Sequence, residues 1–214
     1  MEQSYKLRYG ASAPIIYNGV KILPQKKYPF LCSQKRNILF AGRFEHQKGI
    51  KTLVDVITLL ANDERYHFHI LGDGSLRKFI EDNLLSYNNV SISKPIYGIS
   101  SYLASFDYMF MPSEFEGLSI IAIEAAMTGL PNIINDIPGL NEIYPQNWDL
   151  KVKNNDVEGY LHIFKNVIPT LSREELSEKA YNYAITRFDV SYMQRSYENV
   201  YKGKPVHIPA NFVR

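Results

Sequence analysis

The sequence predicts an α/β fold built on a doubly wound parallel sheet, and three observations predict it. Short apolar runs alternate with stretches of helical spacing, in the order β, α, β, α, β, α, β, α, up to a long apolar segment near residue 120. Strict alternation implies parallel strands, because parallel neighbours need crossover connections, and the helices that make them cover both faces of the sheet. The last third of the chain then turns wholly helical. A composition of 45% hydrophobic and 21% charged residues in 214 is that of a globular domain large enough to bury a core without staples.

Taken in order, residues 1–14 show no periodicity and read as a linker or tail. Ile15 to Val20 is a short apolar run closed by an Asn-Gly turn. Asn37 to Ala41 (NILFA) reads as a buried strand leading into Gly42-Arg43, with Lys48-Gly49 beyond it. Ile50, Leu53, Val54, Ile57 and Leu60 then recur at helical spacing, which places Lys48 near a helix start. Tyr66 to Leu71 (YHFHIL) alternates as a strand, and on that pattern His67 and His69 read as strand surface residues. Gly72-Asp73-Gly74 opens a helix carrying Leu76, Phe79, Ile80 and Leu84.

Asn89 to Ser93 predicts a third strand, Ser100 to Phe106 a short helix, and Asp107 to Met111 a fourth strand. Pro131 to Ile134 and an edge strand at Leu150 to Val152 bring the sheet to about six. In the helical third, Val157, Leu161, Phe164 and Ile168 share a face. Ser172 with Glu175 forms a capping box, Ser191 with Gln194 repeats the signature, and Met193, Tyr197 and Val200 stripe the final helix. Residues 204–214 read as a loose tail, leaving 15–203 as one domain.

Composition removes several function classes. A net charge of +2 does not argue for a nucleic-acid partner. Cys32 is the single cysteine, so an internal disulfide and any cysteine-based metal cluster are ruled out, and a reducing compartment fits. No Asp-x-Asp metal motif occurs, and no metal or cofactor is expected. No apolar run reaches the length of a membrane span, and the N-terminus lacks a signal-peptide core, so a cytoplasmic protein is expected.

The chemistry concentrates in Pro112 to Pro131, PSEFEGLSIIAIEAAMTGLP. A polar loop turns abruptly into a helix apolar on all sides except at Glu124, and a helix of that kind is expected to be buried. A buried carboxylate needs a specific polar partner. Gly117, Leu118 and Ser119 should present free backbone amides at the positive end of this helix, a corner that favours anions. Glu116 and Glu124 bracket the corner, so a ligand with phosphates for the amides and hydroxyls for the carboxylates fits, as a nucleotide sugar does. Taken alone, Glu124 reads first as a carboxylate tied to nearby backbone donors, and Arg43 with Lys48 as solvated cations. Lys48 gains nothing from the dipole at the start of its helix, which is a mild argument that it serves an anion.

The string resembles the glycosyl transferases group 1, retaining enzymes of the GT-B fold, whose hallmark is two glutamates separated by seven residues. Pro112-Ser113, Glu116-Gly117, Glu124-Ala125 and Gly129-Leu130-Pro131 each match the family pattern, as do Gly42-Arg43 and Lys48-Gly49. Leu118-Ser119 departs from it, since an aromatic is more usual at the first position. So does Pro138-Gly139, which stands where the family has Gly-Gly. The resemblance covers about residues 15–203 and implies the Rossmann-like, donor-binding half of a GT-B enzyme.

By that resemblance Arg43 and Lys48 hold the diphosphate of a UDP- or GDP-sugar. Glu116 faces the transferred sugar, Glu124 the ribose, and the Gly117, Leu118 and Ser119 amides phosphate or sugar oxygens. Gly72 and Gly74 let the backbone approach the nucleotide, and Ile92 and Lys94 read the base. The expected partners are an acceptor glycan or glycolipid and an N-terminal acceptor domain or separate chain, with peripheral association at the inner face of the membrane. Family habit also packs the final helix on that other domain, which would leave the Tyr197 and Tyr201 face exposed here. Two other readings stay open: a nucleotide-sugar or phosphate binding module without catalysis, and an unrelated regulatory α/β domain.

Overall fold

A computed structural model describes residues 15–206. Six parallel strands form one sheet: β1 (Arg36–Ala41), β2 (Tyr66–Leu71), β3 (Val90–Ser93), β4 (Tyr108–Met111), β5 (Asn132–Asn135) and β6 (Lys151–Val152). Their spatial order is β3-β2-β1-β4-β5-β6, with Arg36 to Ala41 in register with Tyr66 to Leu71 and Leu39 opposite Met109. The order reverses between β1 and β4. In open sheets of this kind the crevice beyond the carboxyl ends of the strands at that reversal is where ligands bind.

Crossover helices α1 (Ile50–Leu59), α2 (Arg77–Leu84) and α3 (Ile120–Met127) follow β1, β2 and β4. The third crossover, expected as one short helix, consists instead of two 3₁₀ turns, Ile99–Ser101 and Leu103–Ser105, split by Tyr102. After β6 come α4 (Val157–His162), a π turn at Ile163–Val167, α5 (Arg173–Phe188) and α6 (Val190–Tyr201). Ser172 caps α5 as its capping box predicts, accepting from the Glu175 amide at 3.2 Å. The last helix begins earlier than Ser191 suggests: Asp189 is the cap, accepting from the Ser191 amide at 2.9 Å.

The core runs through both sheet faces. Leu39, Ile70, Met109, Phe110, Ile133 and Ile134 are fully buried in the strands, under Leu53, Ile57 and Ile80 of α1 and α2 and Ile123 and Met127 of α3. Each such side chain contributes roughly 1.5–3 kcal/mol on burial. α3 packs on α5, where Ala180 and Ala184 are small enough to admit close approach. At the other end of the chain Val20 bridges to the α5–α6 junction, its amide donating to Phe188 O and its carbonyl accepting from Val190 N. Tyr197 and Tyr201 of α6 are exposed.

His69 corrects the strand-surface reading. It is 1% exposed and its Nε2 lies 2.9 Å from Asn37 Oδ1. Tyr28 and Phe106 pack edge-on to its ring. The loop carrying Tyr28 folds over this face of β2, a long-range contact that local alternation does not reveal. The expected tail at 1–14, and residues 207–214 of the expected tail at 204–214, lie outside the described residues. No helix among the described residues is long and apolar enough to cross a membrane.

Candidate functional site

Two loops meet at the crevice where the sheet order reverses. The first leaves β1 at Gly42, passes Arg43 and a 3₁₀ turn at His46–Lys48, and enters α1 through Gly49. Gly49 has φ +65°, and a Cβ there would lie 1.7 Å from the Pro112 carbonyl oxygen. Only glycine therefore lets α1 begin this close to the second loop, Pro112 to Ser119, which leaves β4. Gln47 ties the two together: its carbonyl accepts from the Glu114 amide at 2.9 Å and its side chain donates to Phe115 O at 3.1 Å.

That approach brings Lys48 to Glu116. The ammonium donates to Glu116 Oε1 at 2.6 Å, and Ser113 Oγ donates to the same oxygen at 2.9 Å. The carboxylate side chain is 7% exposed and the lysine 17%. Arg43, by contrast, is held among the described residues only by Gln47 Oε1 at 3.1 Å, so most of its guanidinium donors are unused there.

Beside them opens a cleft of about 390 Å³ lined by Ala41, Leu71, Pro95, Ile96, Ile99 and Ile121, with Arg43, Lys48 and Asp73 at its polar side. Apolar walls with a few placed charges are the ordinary make-up of a small-molecule site. Gly72 lines the cleft as well, but its missing Cβ makes room for the Gly42 carbonyl and the Phe44 ring, 2.0 and 2.4 Å from where that atom would sit. Gly74 likewise clears the Phe44 carbonyl. Both glycines thus let the β1 and β2 loops approach each other.

Amides at the two helix starts differ. Ahead of α2, Gly74 donates to Asp73 Oδ1, Ser75 to Glu45 Oε1, Leu76 to Phe44 O and Arg77 to Gly74 O. Glu45 also accepts from Ser75 Oγ at 2.7 Å, and these bonds hold its carboxyl below the ordinary glutamate range. Ahead of α3, the Gly117 and Leu118 amides have no acceptor among the described residues. Ser119 departs from the expected free corner, because its amide donates to Gly139 O at 3.4 Å.

Glu124 also departs from its expectation. It is half-buried, and its Oε2 accepts from Ser100 Oγ at 2.7 Å, so its partner comes from the turn after β3. It lies one turn beyond the lining residue Ile121, outside the cleft wall itself. Ile92 is paired with Ile70 in the sheet and Lys94 is exposed; neither lines the cleft, where Pro95 and Ile96 stand instead.

Sequence reasoning passed over Asn135 and Asn155. Asn135 Nδ2 donates to Ser113 O at 3.0 Å, and Asn155 Nδ2 donates to Pro112 O and Glu114 Oε1, both at 2.7 Å. Asn-Asn ahead of the Asp156 cap was the available signal, since asparagine tolerates the left-handed region that Asn154 and Asn155 occupy, φ 57° and 54°.

The glycosyl transferases group 1 family model matches residues 35–168, from the start of the sheet to the π turn. This chain belongs to that family. The uncharacterized 41.2 kDa protein in the cps region of Klebsiella pneumoniae is 29% identical over 201 residues, which cover 88% of this chain and 54% of that protein. The O-antigen biosynthesis glycosyltransferase WclY of Escherichia coli is 27% identical over 90% of this chain and 56% of its own. The chain spans about half the length of the curated relatives it matches.

Among solved structures, Anabaena Alr3699/HepE in complex with UDP and glucose superposes with a TM-score of 0.79 at 18% identity, over 94% of this chain and 60% of that one. Sucrose-phosphate synthase from Thermosynechococcus elongatus gives 0.78 at 21%, over 94% and 56%. At these identities the likeness is one of fold. The group 1 chain described here has the Rossmann-like half of the GT-B architecture.

Proposed function

We propose that this chain is the donor-binding half of a retaining glycosyltransferase that takes a sugar from a nucleoside diphosphate sugar. The observation that carries the reading is the sharing of one cleft by an apolar slot and two cations at the sheet's reversal point. A base fits between Ile96, Ile99 and Ile121. A diphosphate then reaches Arg43, Lys48 and the Gly117 and Leu118 amides, which match the charge that grows on the leaving group as the glycosidic bond breaks. Glu116, at the Lys48 end, meets the transferred sugar. Glu124 takes ribose hydroxyls by exchanging or sharing its bond to Ser100.

A GT-B cleft has two walls, and catalysis requires both reactants held in near-attack geometry. The acceptor site therefore belongs to a second, N-terminal domain or to a partner chain. The names of relatives such as WclY support a glycan or glycolipid acceptor in surface polysaccharide synthesis, a reaction of the cytoplasm or its membrane face.

Calorimetry with UDP and uridine tests the donor reading. Arg43→Ala or Lys48→Ala should each lower UDP affinity by roughly 1.5–3 kcal/mol, the usual worth of a charged hydrogen bond, and leave uridine binding unchanged. Equal losses on both ligands would remove the two cations from the site. Glu124→Gln should weaken uridine and UDP alike with the fold intact. Transfer assays with and without a supplied acceptor domain then separate an enzyme half from a binding module.

A further inference from the structure

Glu116 does not hold its own position. The backbone around it makes few bonds of its own, and the polar groups beneath it come from the ends of the neighbouring strands β5 and β6. Asn155, in the loop between β6 and α4, is 8% exposed and donates through Nδ2 to Pro112 O and to Glu114 Oε1. Its Oδ1 accepts from Tyr160 OH at 2.8 Å, which fixes the amide so that its donors point at the loop. Its own backbone N–H donates to Asn135 Oδ1 at 3.1 Å, and Asn135 Nδ2 in turn holds Ser113 O. Ser113 is the residue whose hydroxyl donates to Glu116.

The network is buried except at Glu114, whose carboxylate reaches the surface, and it spans the ends of β4, β5 and β6. Every polar atom in it that faces the loop is used, so the loop has one low-energy placement rather than several. Tyr160 is buried and its hydroxyl makes no other hydrogen bond among the described residues, and burial raises its phenol well above its ordinary range, so it stays a donor at any physiological pH. Gly49 completes the fit, since a Cβ there would lie 3.1 Å from Asn155 Nδ2 as well as against Pro112.

We propose that Asn155, oriented by Tyr160 and seconded by Asn135, is a positioning residue that sets where the Glu116 carboxylate and its partner Lys48 stand in the cleft. The functional half of this proposal rests on the donor reading above. Asn155 touches no part of the cleft, so it acts on ligands only through the Pro112 to Glu116 loop.

The backbone of Asn155 makes a clean test available. At φ 54° glycine is as comfortable as asparagine, so Asn155→Gly deletes the side chain without straining the turn. Hydrogen exchange in the full chain without ligand should show the hydrogen-bonded amides of this loop, Glu114 and Ser119, exchanging at least tenfold faster in this variant, with strands β1 and β2 unchanged. Tyr160→Phe, which keeps Asn155 and frees its amide to rotate, should give a smaller change in the same residues. It decides the matter if Asn155→Gly fails to fold. Unchanged exchange at Glu114 and Ser119 in a folded variant would overturn the proposal, as would faster exchange spread evenly over the chain.

The second readout is the ratio of affinities for UDP and for the tighter of UDP-glucose and UDP-N-acetylglucosamine. Because the network acts at Glu116 and not at the base, Asn155→Gly should erase about tenfold of any preference for the sugar nucleotide while uridine binding holds. Uridine and sugar nucleotide weakening together would mark a merely structural residue. If the wild-type chain binds none of these ligands, the donor reading falls, and the exchange result still decides whether Asn155 positions the loop.

Discussion

Two buried polar clusters sit on the same sheet, and they are built to opposite rules. Around His69 the side-chain bonds are neutral: the imidazole meets Asn37 Oδ1, which also accepts from the Cys32 amide, while Asn37 Nδ2 donates to the Cys32 and Lys35 carbonyls, and a carboxylate enters only at the edge, where Asp107 accepts from the Asn37 backbone amide. Around Glu116 the contacts are charged, with an ammonium that keeps 17% of its side chain in solvent. The first cluster has all its bonds within the chain and fastens the loop over β2. The second holds charge beside an open cleft, with its ammonium still reached by solvent. Buried polarity thus fastens where its bonds are closed, and stays exchangeable where it is charged and reachable.

The contrast can be broken first with acid. Burial, with a smaller contribution from the neighbouring His67, pushes the His69 imidazole down to about 3. The unfolded chain, titrating near the ordinary value of about 6.5, binds more protons than the folded one between these values, so stability rises with pH across that window. The stabilisation is complete above roughly pH 6.5 and is lost progressively as pH falls toward 3, by roughly 5 kcal/mol at most. Urea melts at several pH values should show this slope, and His69→Gln, which keeps a donor for Asn37, should flatten it. An unchanged slope would remove His69 from the account.

A second break removes the acceptor. Asn37→Ala leaves the His69 ring and the Cys32 and Lys35 groups without partners, and should cost about 2–3 kcal/mol in denaturant melts. Nucleotide affinity should not move. The smallest effect on stability is expected at the other cluster: Glu116→Gln keeps the hydrogen bond from Ser113, and Lys48 can turn toward water, so the cost should stay below about 1 kcal/mol. Freed from its counter-charge, Lys48 should then bind UDP a few-fold more tightly in calorimetry. A large loss of stability there would mean that the ion pair is a fastening after all.

The same contrast explains what could be read from the sequence. Strand and helix periods, and the reversal of sheet order they lead to, follow from local pattern, because a parallel sheet buried on both faces demands apolar runs such as Leu39-Phe40 and Ile133-Ile134. The Lys48, Glu116 and Arg43 neighbourhood was legible through motif spacing. Partners supplied from far along the chain were not. Ser100 for Glu124, Gly139 for the Ser119 amide, Tyr28 over His69 and Asn155 under Pro112 are all contacts across long sequence separations. Asp189 displaced Ser191 as a cap because α6 starts almost where α5 ends, with Asp189 the one residue between them.

Glu45 makes the start of α2 unlike the start of α3. By bonding to Ser75 it places the chain's own carboxylate at the start of α2, while the start of α3 keeps two amides open. The two helix starts are therefore unlike: the donors ahead of α2 are saturated from within the chain, while those of Gly117 and Leu118 have no acceptor among the described residues. One end of the loop cluster is thus finished by its own sequence, and the other keeps hydrogen-bonding capacity for a group from outside it.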